Sequence, residues 1–135
     1  MNLIVRSLLI LAGMVFCVIG GSFLAYPASQ GGSFGLDANG AQGLSSLRGD
    51  FTAYFWVTGG GLIYGAWAKR RDVLLIPGLL LGITFAARAL SLALDGFYEN
   101  WWQPMGVEAL TIVLILVGRR AFAQRGLSTM GSTLS

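Results

Sequence analysis

The sequence predicts an all-α integral membrane protein, a four-helix bundle with both termini in the cytoplasm. Of its 135 residues, 55% are hydrophobic and only 11% are charged, and the mean hydropathy is +0.69. A soluble domain carries about 25% charged residues. Four apolar stretches are long enough to cross a bilayer as helices, at about 5–26, 47–68, 73–94 and 102–118. We expect one domain, 1–125, followed by a disordered tail, 126–135.

The first apolar stretch is either a membrane helix or a cleaved signal peptide. The apolar run of a signal peptide is about 7–15 residues and ends at small residues. Here the run is longer, and Tyr26 and Pro27 precede Ala28, a poor cleavage site. We therefore expect a retained helix that ends at Pro27, because proline cannot continue the hydrogen-bond ladder. The stretch 28–46 is rich in Gly and Ser and is expected to be a loop.

The cations predict the orientation of the bundle. Arg6, the turn 69–71 and the arginines after the fourth stretch all fall on one side of four consecutive spans. The other side holds Arg48 alone among the cations, together with most of the carboxylates. By the positive-inside rule, both termini are cytoplasmic and the loops 27–46 and 95–104 face outward.

Several classes of site are excluded by composition. The chain has no histidine and one cysteine, Cys17, which removes the common zinc sites, haem ligation by histidine and the histidine-dependent catalytic triads. We expect no cofactor, no metal and no catalytic residue. The net charge of +3 sits at helix ends, so nucleic acid is not an expected partner.

The third stretch contains an arginine, Arg88, well inside the apolar segment. An arginine near a bilayer centre costs between about 2.5 and more than 10 kcal/mol, so it is retained only with partners or a purpose. Helical spacing places Thr84, Ser91 and Asp95 on the same face as Arg88. Depth along the helices predicts that Arg88 pairs with Asp50 and Glu108 near the outer face.

The candidate site is therefore a polar network in which other side chains assist that pairing. Its expected members are Arg48, Asp50, Tyr54, Arg88, Ser91, Asp95 and Glu108. Three interpretations stay open: the network fixes helix register only, it forms a charged pocket for the headgroup of an amphiphile, or it is a path for protons or ions. Gly61 and Gly65 form a G-x-x-x-G pair, which serves either a homodimer or packing inside the monomer.

Short motifs carry a family resemblance. They are LRGD at 47–50, YGAW at 64–67 before the basic turn, RALS at 88–91 and DG at 95–96. From about Phe34 to Gly118 the chain resembles a family of small bacterial four-helix membrane proteins of unknown function, distantly similar to DoxX-like proteins. Ala87 stands where that family has glycine. The resemblance implies a multi-pass protein of the bacterial inner membrane and supplies no activity.

Three classes of function fit these patterns. The first is a non-catalytic binder of a lipid or quinone, or an accessory subunit of a membrane complex. The second is a small proton- or ion-coupled transporter, since intramembrane carboxylates are the usual carriers. The third is a membrane-embedded enzyme that uses Asp50, Glu108 or Tyr54 as acid or base. The expected partners are membrane lipids, a quinone, a second copy of the chain or a larger membrane complex.

Overall fold

The computed structural model describes residues 2–134, with side chains for residues 3–123 and 130–134, and this part of the chain contains no strand. It forms six α-helices: α1 (Asn2–Ala25), α2 (Pro27–Ser33), α3 (Gly40–Ser46), α4 (Thr52–Trp67), α5 (Arg71–Asp95) and α6 (Trp102–Thr133). A π-helical segment, Leu47–Phe51, joins α3 to α4. The all-α prediction is confirmed, whereas the prediction of four helices is corrected to six.

The two additional helices, α2 and α3, lie in the stretch 28–46 that was expected to be a loop. Pro27 ends α1 and also opens α2, because a proline in the first turn of a helix loses no hydrogen bond. The four remaining helices overlap the four apolar stretches, and the π segment occupies the start of the second. α6 runs to Thr133 and so includes most of the segment 126–135 predicted to be disordered; that segment has no proline to interrupt a helix. Ser135 lies outside the described residues.

The four long helices pack in a ring. α1 packs on α4, α4 on α5, and α5 on α6, and α6 closes back on α1. Their facing sides form one apolar core, in which the most deeply buried side chains are Leu9, Phe23, Leu62, Leu74 and Leu81. α1 therefore supplies part of the core that holds the other helices together.

Glycines allow α4 to pack closely against two of its neighbours. A Cβ added to Gly59 of α4 would lie 2.6 Å from Cys17 Sγ and 2.6 Å from the Gly13 carbonyl oxygen of α1. On another side of α4, a Cβ on Gly61 would lie 2.9 Å from Pro77 Cδ of α5. Gly61 and Gly65 both face α5, so the G-x-x-x-G pair packs two helices within the chain.

Arginine side chains join helices at one end of the bundle by donating to backbone carbonyl oxygens. Arg6 of α1 donates from Nε to the Ala66 carbonyl oxygen at 3.0 Å and from Nη2 to that of Trp67 at 3.1 Å. Arg119 of α6 donates to the Arg71 carbonyl oxygen at 3.0 Å. These contacts bring the start of α1, the α4–α5 turn and the basic part of α6 to one end of the bundle. A cation there also balances the negative end of the α4 dipole.

Two helices are long and apolar enough to cross a membrane, Leu3–Ala25 and Arg71–Asp95. Only 28% and 17% of their most apolar windows are buried inside the structure. Without the π segment that precedes it, α4 has only 16 residues. α6 has polar residues near its start, such as Gln103 and Glu108. By length and composition, the chain therefore has two candidate membrane spans among its described residues.

Candidate functional site

α1 and α6 converge at one end of the bundle and separate at the other. At the converging end, a Cβ on Gly118 of α6 would lie 2.9 Å from Leu9 Cδ1 of α1. Toward the other end lies a cavity of about 1140 Å³, lined by Phe16 and Ile19 of α1 and by Val107 and Leu110 of α6. Val107 and Leu110 are 54% and 64% exposed, so the cavity opens through the side of the bundle as well as at its end.

Aromatic rings form the inner wall of this cavity. The Phe55 ring lies 5.9 Å from that of Phe16 and 5.2 Å from that of Tyr54, centroid to centroid. Phe34, which follows α2, covers the end of the cavity and contacts Phe23 at 5.4 Å. The stretch 28–46 therefore brings an aromatic side chain back onto the bundle, and stacked rings of this kind keep the wall in one shape.

An ion pair also lines the cavity. Arg88 of α5 donates from Nε to Glu108 Oε1 of α6 at 2.8 Å. Glu108 is only 6% exposed, whereas the Arg88 side chain is 31% exposed. The second carboxylate oxygen, Glu108 Oε2, is buried and has no hydrogen-bond partner among the described residues. A buried polar atom without a partner is costly and calls for an explanation.

Tyr54 brings a hydroxyl to the same cavity from α4. Its oxygen lies 2.9 Å from Thr84 Oγ1, and Thr84 donates its own hydrogen to the Leu80 carbonyl oxygen at 2.7 Å. Because a threonine hydroxyl has a single hydrogen, Tyr54 must donate to Thr84. The Tyr54 hydroxyl oxygen is thus fixed in place and keeps an acceptor lone pair.

The other residues of the expected network lie elsewhere. Arg48 donates from Nε to the Leu24 carbonyl oxygen at 2.9 Å and so caps the end of α1. Ser91 donates to Asp95 Oδ2 at 2.9 Å on the exposed side of α5. Asp50 is exposed and is not paired with Arg88. The expected pairing of Arg88 with Asp50 is corrected: Asp50 belongs to the π segment, whose buried side is presented by Leu47.

Sequence reasoning overlooked most of the cavity lining. Phe16 and Phe23 are seven residues apart on α1, and Tyr54 and Phe55 follow Phe51 by one turn on the neighbouring helix. That spacing places rings on one face of each helix and could have indicated an aromatic wall. No signal in the sequence marked Gly106, which lines the cavity on α6.

Within the described residues, no group of three or more His, Cys, Asp or Glu side chains could hold a metal ion. Cys17 is half-buried and packs at the α1–α4 crossing. Besides the Arg88–Glu108 pair and the Tyr54 side chain, the polar side chains that line the cavity are Ser33, Tyr98, Glu99, Asn100 and Gln103. Such a set can hold charged and hydrogen-bonding groups of a ligand without a bound cofactor.

These features define a class of protein: an all-α bundle with a side-opening, largely apolar cavity that holds an ion pair whose carboxylate is buried. The chain belongs to the family described as Domain of unknown function (DUF4345), whose model matches residues 4–118. The match begins in α1 and ends at Gly118, where α6 meets α1. No curated protein and no solved structure matches the chain.

Proposed function

We propose that the protein crosses the membrane four times and binds an amphiphile, a lipid or a quinone, in the cavity between α1 and α6. The family resemblance seen in the sequence adds a bacterial inner membrane to this proposal. The observation that carries it is the cavity itself, because an apolar space that opens sideways at exposed apolar residues also holds the Arg88–Glu108 pair.

The exposed surface supports the membrane part of the proposal. Large apolar side chains lie exposed along every long helix, for example Val18, Val57, Ile83 and Val113. Soluble monomers rarely expose contiguous apolar patches larger than a few hundred Å². The low buried fraction of α1 and α5 also differs from that of a soluble core helix. A hydrocarbon solvent for these surfaces accounts for both observations.

The cavity supports the ligand part of the proposal. Sites for drug-sized ligands measure about 300–1,000 Å³, are mostly apolar and carry a few placed polar groups. A volume of about 1140 Å³ gives room for a headgroup and the first part of its chains. Val107 and Leu110 at the side opening would let the remaining chains stay in the bilayer.

Mass spectrometry of the protein purified in mild detergent tests the proposal. We expect the wild-type protein to carry a copurified lipid or quinone. Gly106→Phe should remove it, because a ring there occupies the cavity at a position where an added Cβ meets no atom within 4 Å. Circular dichroism of the same sample should show unchanged helix content.

Gly60→Phe is the matched control. Gly60 is an exposed glycine on α4 that also has open space around its Cβ, and it does not line the cavity. It should keep the copurified molecule. Equal retention by both variants, or a wild-type protein that binds no added lipid or quinone, would count against an amphiphile in this cavity.

A further inference from the structure

We infer that the amphiphile is a phospholipid whose headgroup carries an N–H ammonium next to its phosphate, as in the phosphatidylethanolamine class. This inference rests on the proposed function and names the ligand of the same cavity. It follows from the hydrogen-bonding groups that Arg88 and Glu108 leave unused.

Arg88 has donors to spare on the cavity side. Only its Nε–H is used, on Glu108 Oε1, and no described residue accepts a hydrogen bond from Nη1 or Nη2. A guanidinium presents its N–H groups in a planar fork that matches phosphate oxygens, and it is the preferred partner of phosphate wherever such geometry matters. Arg88 is therefore suited to hold an anionic phosphate in the cavity.

Glu108 requires the opposite chemistry. Its residue is 6% exposed, it lines the cavity, and its Oε2 has no partner. An ionised carboxylate only accepts hydrogen bonds, so Oε2 must be met by a donor. No described side chain donates to Oε2, and the atom is enclosed in this structure. The carboxylate therefore turns toward the cavity when a donor enters it. An ammonium N–H supplies that donor with a charge of the right sign.

The pair therefore presents a cation and an anion side by side. A zwitterionic headgroup carries an anion and a cation that can face them. Phosphate meets Arg88, ammonium meets Glu108, and no net charge is added to the buried site. A burial that leaves every charge paired avoids the large cost of an uncompensated ion. Glu99, an exposed carboxylate in the cavity lining, adds a weaker attraction for the ammonium, since water screens it.

Other membrane amphiphiles satisfy only part of this arrangement. A quinone has two carbonyl acceptors, which suit Arg88 and leave Glu108 Oε2 without a donor. Phosphatidylcholine has the same charges as phosphatidylethanolamine, but its quaternary ammonium has no N–H. Phosphatidylglycerol offers hydroxyl donors with an unbalanced negative charge, which would add to that of Glu108. Selectivity against phosphatidylcholine is the sharpest consequence because those two lipids differ only in three methyl groups.

Native mass spectrometry with phosphatidylethanolamine, phosphatidylcholine and phosphatidylglycerol of identical acyl chains tests this inference. We expect the wild-type protein to bind phosphatidylethanolamine about tenfold more tightly than phosphatidylcholine, a difference that corresponds to about 1.4 kcal/mol. Glu108→Gln should bring the ratio toward one, because an amide oxygen is an uncharged, weaker acceptor. Asp50→Asn, which changes an exposed carboxylate outside the cavity lining, should leave the ratio near its wild-type value.

The outcomes separate this inference from the proposal on which it rests. Equal binding of phosphatidylethanolamine and phosphatidylcholine that Gly106→Phe abolishes overturns the headgroup inference and leaves an amphiphile site. A preference for phosphatidylglycerol overturns it as well. No binding of any of the lipids above the level of Gly106→Phe overturns both. Should Glu108→Gln fail to fold, the comparison of the lipids on the wild-type protein still decides.

Discussion

The Arg88–Glu108 pair is unequally buried, and this decides what its loss should do. Glu108 is almost entirely enclosed, whereas the Arg88 side chain keeps about a third of its surface exposed, 31%. Removing the arginine therefore leaves a buried carboxylate without compensation, and removing the carboxylate leaves a cation that can still reach solvent. The two single changes should not be equivalent.

Arg88→Ala should destabilise the bundle by about 3 kcal/mol, the low end of the range for breaking one side of a buried pair. The double change Arg88→Met with Glu108→Gln should recover most of that loss because both charges leave together. Thermal unfolding in detergent measures the series. An Arg88→Ala protein that unfolds like the wild type would show that the guanidinium is not compensating the carboxylate.

Arg70→Ala is the matched control for that series. Arg70 pairs with Asp72 at 2.6 Å, but both side chains are more than half exposed. Exposed pairs contribute little because water and salt screen them. We expect no measurable shift in the unfolding temperature, so a large shift for Arg88→Ala reports burial rather than the loss of any arginine.

For single residues, the sequence predicts the positions of side chains in regular helices but not of those in an irregular segment. Arg88 and Glu108 meet as their depths along α5 and α6 imply, since a constant rise per residue locates both. Asp50 lies in the π segment, where the register of an α-helix does not hold. The unpaired Glu108 Oε2 and the cavity depend on how the helices pack, and residue spacing along the chain does not predict this.

Among the elements, α4 is approached by two neighbours through its glycines. Gly59 faces α1 and Gly61 faces α5, so a single helix offers close-packing surfaces in two directions. Without a hydrophobic driving force between helices in lipid, close approach of backbones is a main source of helix association. The position of α4 in the ring follows from these two surfaces.

Gly59→Leu should lower the free energy of unfolding by more than overpacking usually costs, which is about 1–3 kcal/mol. The added side chain collides with backbone of α1 at the Gly13 carbonyl oxygen, which cannot rotate away. Gly60→Leu, one position further and open to the surroundings, should be close to wild type. Unfolding in detergent compares the two, and equal stabilities would argue against a close α1–α4 crossing.

The element scale also shows where sequence patterns are sufficient. Proline at 27 and the left-handed Gly96, with φ of +96°, bound the long helices near the positions that composition predicts. The short helices α2 and α3 were missed because their Gly- and Ser-rich sequences have poor helix propensity. Contacts of Phe34, directly after α2, with Phe23 and Phe51 hold the end of α2 against the bundle.

For the whole molecule, the contacts of Arg6 and Arg119 gather basic residues at one end of the bundle. Arg48 lies at the opposite end, on the carbonyl end of α1. This arrangement favours the orientation proposed from the positive-inside rule, with the α4–α5 turn in the cytoplasm. The cavity and its ion pair would then lie toward the outer face.

Single cysteines introduced at positions 70 and 37, in a Cys17→Ser background, test that orientation in intact cells. An impermeant thiol reagent should label position 37 and spare position 70 until the membrane is opened. Position 70 lies in the α4–α5 turn and position 37 between α2 and α3, both exposed. Labelling of position 70 in intact cells would reverse the orientation and place the cavity toward the cytoplasm.

The two arginine caps on the α1–α4 pair have a consequence for the order in which the chain is made. Arg6 contacts carbonyls 60 and 61 residues further along, and Arg48 contacts one 24 residues back. Every group in these contacts is present once Trp67 has been added. Synthesis proceeds from the amino terminus. The hydrogen bonds at both ends of the α1–α4 pair can therefore form before α5 and α6, with the Arg88–Glu108 pair, have been translated.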